Sequence, residues 1–200
     1  MTAPESPKAM TAPKAPESPK PPVPLVLISA CLLGHQVRYN GQHKLQEALL
    51  QLAPSRLRWL PFCPEMAAGL GLPRPPMYLC RQQNQTRLLR CHDRLDLTEK
   101  VQAACRELAE LARQGKLCGA VLKSRSPCCA PGDAPLCDAA GKPSEQYTFG
   151  IFAEILRTGT KKAPAAKKGE LAPPKLTLIN EQDMIDPTRQ ASFFAALLRA

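Results

Sequence analysis

A chain of 200 residues with 44% apolar side chains can bury one substantial core, and no apolar run in it reaches the roughly 20 residues of a membrane span. Residues 1–22 also lack the apolar stretch of a secretory signal, so a disulfide framework is not expected, the expected compartment is the cytoplasm, and nine cysteines read as buried small side chains or as metal and redox ligands. The net charge of +10, part of it from lysines between 161 and 175, suits either a solvated linker there or a segment that follows RNA or a nucleotide phosphate.

Residues 1–24 repeat Met-Thr-Ala-Pro and Ala-Pro-Glu-Ser-Pro-Lys, and proline at that density predicts a disordered tail. From Leu25 to Ala30 the chain is apolar without alternation, as a strand covered on both faces must be. It ends in Cys31, and the following loop, with Gly34, Asn40 and Gly41, carries Arg38 and Tyr39, a pair suited to holding an anion and stacking on a ring. Leu45, Ala48, Leu49 and Leu52 predict a short helix over 43–53 that returns to a second apolar strand, Leu57 to Phe62. That strand ends in Cys63-Pro64-Glu65, after which glycines and prolines keep the backbone irregular to Pro76.

Residues 77–97 read as a hairpin turning at Cys91-His92-Asp93, where the spacing is wrong for zinc. Thr98 is the expected N-cap of a helix ending at Gly115, with Cys105 on its apolar stripe. A third strand, Cys118 to Leu122, leads into Lys123-Ser124-Arg125-Ser126-Pro127-Cys128-Cys129, the loop densest in reactive groups. The prolines and glycines of 130–146 predict a long loop over the site, and Tyr147 to Leu156 a helix. A basic Lys/Ala/Pro linker over 159–174 and a strand and helix within 175–200 complete the chain, so 25–158 is the expected catalytic body.

Parallel strands present their carboxyl ends at one sheet edge, which would carry Cys31, Cys63 and Cys129 toward one crevice although they are far apart in sequence. A structural zinc site asks for four ligands, and only three stand out; an iron–sulfur cluster held by three thiolates with one open iron suits the set better. Spacing alone leaves open that these are three unrelated buried thiols.

Three colinear motifs resemble the DUF523 family, whose characterised members are thiouracil desulfidases. They are Ile28-Ser29-Ala30-Cys31-Leu32-Leu33-Gly34 with Arg38-Tyr39; Cys63-Pro64-Glu65 with Gly69-Leu70 and Pro73-Arg74-Pro75-Pro76; and Leu122-Lys123-Ser124-Arg125-Ser126-Pro127 with Cys129. The resemblance covers about residues 25–157 and implies an α/β, Rossmann-like three-layer domain with a mainly parallel sheet. It further implies a 4Fe-4S cluster on Cys31, Cys63 and Cys129 with one open iron, and non-redox removal of sulfur from thiolated uracil bases or nucleotides to give uracil compounds and hydrogen sulfide. Glu65 and either Ser124 or Ser126 are then the expected catalytic groups. Arg38, Tyr39 and Arg125 are the expected substrate-binding residues, with Arg74 and Lys123 as further candidates for a phosphate or ring carbonyl. The chain departs from the family's Ser-Pro-Ser-Cys-Gly in reading Ser126-Pro127-Cys128-Cys129-Ala130, which sets a further thiol beside the third ligand. Two other readings stay open here: desulfuration of thiouridine in tRNA, with the basic linker following phosphates, and a non-catalytic iron–sulfur or RNA-binding protein.

Overall fold

The central sheet is built from the segments that are apolar without alternation. In the computed structural model, which describes residues 23–52, 57–138, 140–161 and 176–197, strands β1 (Leu25–Ser29), β2 (Arg58–Phe62), β5 (Gly119–Leu122) and β8 (Thr177–Asn180) lie in the order β2-β1-β5-β8. All three pairings are parallel. The two inner strands are the most apolar, and every residue of β5 is buried, because helices cover both of their faces. One face packs Val26, Ile28 and Val121 against Leu49 of α1 (Glu47–Leu52), Met184 of α6 (Glu181–Ile185) and Phe193 and Leu197 of α7 (Pro187–Leu197). The other packs Leu27, Ala120 and Leu122 against α3 (Thr98–Ala104), α4 (Arg106–Arg113) and α5 (Ile151–Lys161). The result is the expected three-layer, Rossmann-like α/β arrangement.

Beside it stands a second sheet, to which the hairpin expected over 77–97 contributes the strand from Thr86 to Arg90 but not its expected turn at Cys91-His92-Asp93. Strands β3 (Met77–Gln82), β4 (Gln85–Arg90), β6 (Pro131–Cys137) and β7 (Pro143–Phe149) run in the order β4-β3-β6-β7, with only the β3–β6 pair parallel. The β3–β4 hairpin turns at Gln83-Asn84, both with positive φ, as a two-residue turn matched to strand twist requires. Residues 91–93 lie beyond that hairpin, and only an isolated bridge between Leu89 and Asp96 follows.

The expected loop over 130–146 is therefore the β6–β7 hairpin, and Tyr147 to Phe149 are strand where helix was expected. Prolines suggested loop, but Pro131 and Pro143 open their strands and Pro135 lies next to an irregularity in register, positions where a missing N–H costs no ladder bond. The helix expected from Thr98 to Gly115 breaks at Cys105, whose N–H turns back to Gln102. Leu97, not Thr98, is its N-cap, and no side chain caps it; Asp96 Oδ1 accepts from the Thr98 N–H at 2.8 Å just ahead of the helix, while the Thr98 hydroxyl accepts from the Leu88 N–H at 2.8 Å. Helix α5 runs to Lys161, three residues into the expected linker; the rest of that basic segment and the Pro-rich tail to residue 22 lie outside the described residues. No helix among the described residues is long and apolar enough to cross a membrane.

Candidate active site

Register in the central sheet sets Ser29 beside Phe62, Ile28 beside Val121 and Leu122 beside Asn180. All four strands therefore end at one edge, and each is followed at once by polar or sulfur-bearing residues. After β1 a 3-10 turn over Ala30–Leu33 holds Cys31 and closes on Gly34 at φ +92°, a conformation that favours glycine. After β2, Cys63 precedes the short helix α2 (Pro64–Ala67), which carries Glu65. After β5 comes Lys123-Ser124, and after β8 comes Glu181.

Cys31, Cys63 and Cys129 line one cavity of about 290 Å3, together with Arg38, Tyr39, Glu65, Ser124, Arg125 and Ser126. Every site residue expected from the sequence is thus brought to one place. Cys31 and Cys129 are buried, 8% and 7% exposed. Burial pushes the Cys31 thiol up to about 11, with the charge of Cys63 adding to the effect. Burial raises Cys63 as well, and the N–H groups of Met66 and Glu65 oppose that shift. Cys129 is raised chiefly by burial, against the hydroxyl of Ser29, which favours its thiolate. A cation held here by thiolates would accordingly displace their protons as it bound. Among the described residues no three His, Cys, Asp or Glu side chains converge as a single-ion site requires; the three thiols surround a cavity instead. None of the nine cysteines is in a disulfide.

The loop that carries Cys129 is held from two sides. Ser126 Oγ accepts from the N–H of Cys128 at 3.3 Å and of Cys129 at 3.1 Å. Backbone N–H groups at the start of α5 donate to its carbonyls: Ile151 to Pro127 at 3.1 Å and Phe152 to Cys128 at 2.8 Å. Cys128 is fully buried and does not line the cavity. Its thiol is raised well above the ordinary range by burial and then by the neighbouring charge of Glu65. Arg125 sits at φ +55°, rare for a residue with a side chain, and its N–H donates to Asp133 Oδ2 at 3.2 Å.

Two expected phosphate or carbonyl binders have protein partners. Arg74, 7% exposed, donates to Glu65 Oε2 at 2.6 Å, to the Val37 carbonyl at 2.7 Å and to the Gly71 carbonyl at 3.0 Å. Lys123 Nζ donates to Glu181 Oε1 at 2.5 Å. Arg38 and Tyr39 lie together at the mouth, with the guanidinium 5.8 Å from the ring centroid and Tyr39 41% exposed.

Two residues escaped the sequence reading. Ser29 Oγ accepts from the Lys123 N–H at 3.0 Å and faces Cys129; its place directly before the Cys31 turn was the available signal. Glu181, 3% exposed, opens α6 and had no signal beyond its position after a short apolar strand.

An α/β sheet edge that gathers three thiols, a carboxylate and two serines around one cavity defines an enzyme-like thiol centre. The sequence profile of the 2-thiouracil desulfurase family matches residues 26–168, and the chain belongs to that family. Its fold is similar to that of the 4Fe-4S-dependent thiouracil desulfidase TudS (DUF523Vcz), with a TM-score of 0.60 and 27% identity over 84% of this chain and 98% of that one. It is also 27% identical to the uncharacterized protein YbbK of Bacillus subtilis (strain 168) over 113 residues, 54% of this chain and 74% of that protein.

Proposed function

We propose that the protein removes sulfur from thiolated uracil bases or nucleotides at a 4Fe-4S cluster held by Cys31, Cys63 and Cys129. The observation that carries this reading is the convergence of those three thiols with Glu65 and Ser124 on one cavity. Three soft donors, with N–H groups of Glu65 and Met66 directed at one sulfur and the Ser29 hydroxyl at another, fit a cluster that keeps one iron open. When bound, such a cluster supplies a soft Lewis-acid iron suited to a thiocarbonyl sulfur.

The protein's own groups then have the following work. Glu65, oriented by Arg74, takes a proton from water as it adds to the ring carbon. Ser124 relays a proton, while Ser126 shapes the ligand loop through its bonds to the N–H groups of Cys128 and Cys129. Tyr39 stacks on the pyrimidine, and Arg38 and Arg125 hold a ring carbonyl or a phosphate. Water replaces C=S by C=O, both its protons leave with the sulfur as hydrogen sulfide, and no electron is transferred.

The test is to purify the protein without oxygen and add 4-thiouracil, its nucleotide or thiouridine-containing tRNA. A chain with about four irons that bleaches a thiocarbonyl band, releases one sulfide per substrate and loses both properties in Cys31→Ala is expected. A colourless or zinc-loaded protein overturns the reading, and turnover of the tRNA alone would move the substrate from small molecule to RNA.

A further inference from the structure

Glu181 lies outside the residues that the family profile matches, 26–168, yet its carboxylate sits beneath the loop that opens the site. Strand β8 pairs in parallel with β5, with Asn180 level with Leu122. Lys123 and Glu181 therefore leave the sheet side by side. Glu181 accepts three hydrogen bonds, from Lys123 Nζ at 2.5 Å, from the Ser124 N–H at 2.6 Å and from the Ser124 hydroxyl at 2.7 Å. Lys123 Nζ also lies 2.9 Å from Ser124 Oγ. Ser124 lines the cavity and Glu181 does not.

The chemistry of these groups fixes the direction of each bond. Burial works to raise Glu181, but Lys123, the Ser124 N–H and the Ser124 hydroxyl outweigh it and hold the group below the ordinary glutamate value. A carboxylate only accepts and an ammonium only donates. The Ser124 hydrogen is therefore directed at Glu181 and one lone pair at Lys123, which leaves the rest of the oxygen to the cavity. Without the carboxylate the hydroxyl would lose the acceptor that fixes its hydrogen, and the Lys123 charge would keep the Ser124 carbonyl and hydroxyl but lose its counter-charge.

The anchoring of this carboxylate is firm. Asn180 Oδ1 caps α6 by accepting from the Asp183 N–H at 2.7 Å. Phe193 and Leu197 pack so closely on β5 that a Cβ at Gly119 would lie 2.8 Å from each.

We propose that Glu181 is a positioning residue that orients the Ser124 hydroxyl and holds Lys123, so that the C-terminal strand and helices complete the active site. The inference rests on the desulfidase reading for its effect on turnover, and on geometry alone for the clamp. Carboxylate orientation of a proton-relaying hydroxyl is the kind of second contact whose loss lowers kcat rather than affinity.

The experiment compares Glu181→Gln, Ser124→Ala and the double variant as cluster-loaded proteins. Glu181→Gln is expected to lower kcat by about 10²-fold with KM changed less than about twofold, at unchanged iron content. Because Glu181 acts through Ser124, the double variant is expected to be no slower than Ser124→Ala. Hydrogen exchange at the Ser124 amide, which needs no substrate, is expected to quicken at least about tenfold in Glu181→Gln. Wild-type kcat in Glu181→Gln, or losses that multiply in the double variant, overturns the proposal. Should Glu181→Gln fail to fold, Lys123→Met removes the clamp from its other end, and wild-type kcat there overturns it equally. A fully loaded wild-type protein that turns over no thiolated uracil compound defeats the desulfidase reading instead, and the exchange rate then decides the clamp by itself.

Discussion

Arg74 and Glu65 form an ion pair at 2.6 Å with side chains 4% and 13% exposed, so the carboxylate assigned to activate water is held by a cation nine residues along the chain. Arg74 also ties together two loops, the one after β1 through the Val37 carbonyl and the one just before it through the Gly71 carbonyl. Removing one partner of a buried pair leaves the other charge uncompensated. Arg74→Met is expected to lower stability by about 3–5 kcal/mol, read from urea unfolding, and to abolish turnover. Arg74→Lys restores charge without the fork of donors and is expected to recover only part of the stability. A wild-type unfolding midpoint in Arg74→Met would show the pair to be dispensable.

Gly150 leaves no room for a side chain beside the peptide that joins Cys128 to Cys129. A Cβ there would lie 2.5 Å from the Cys128 carbonyl carbon and 2.8 Å from the Cys129 nitrogen, both backbone atoms that cannot swing aside. Gly150→Ala must push the third ligand's loop away from α5. Overpacking of this kind costs about 1–3 kcal/mol, and iron bound per chain after anaerobic reconstitution is expected to fall. Full iron loading in Gly150→Ala would contradict the assignment of Cys129.

The two serines of the loop are expected to fail in different ways. Ser126→Ala leaves the N–H groups of Cys128 and Cys129 without their acceptor, a loss of about 1–3 kcal/mol for each that stays dry. Its expected outcome is weakened iron retention with lowered turnover. Ser124→Ala keeps the ligand loop and is expected to retain iron while losing kcat. Parallel iron and sulfide assays separate them, and equal iron loss in both would refute the division of roles.

Thiol replacements separate ligands from packing. Cys31→Ala, Cys63→Ala and Cys129→Ala are each expected to lose cluster absorbance and turnover. Cys91, exposed beyond the β3–β4 hairpin, is expected to tolerate Cys91→Ser with both retained. Cys105 is buried and its thiol is pushed up to about 12 by burial. It belongs to the apolar core, so Cys105→Ala should lower stability without removing iron. Iron loss in Cys105→Ala at unchanged stability would call for a different ligand set.

Much of this site could be read from the chain because its supports are local. A strand covered on both faces must be apolar at every position, which marks β1 and β5, and parallel strands end at one edge, which brings Cys31, Cys63 and Cys129 together before any contact is known. The second sheet was less legible: prolines that signal loop occupy strand starts and an irregular register in the β6–β7 hairpin, where no ladder bond is lost. What tertiary structure alone decided is the pairing of charges. Arg74 and Lys123 are candidate phosphate binders in sequence, and each is instead engaged by a carboxylate, the partly buried Glu65 or the buried Glu181. Ser124 and Glu181 stand 57 residues apart. No periodicity links them, because their contact follows from which strand settles beside β5, and that is set by packing of the whole apolar face.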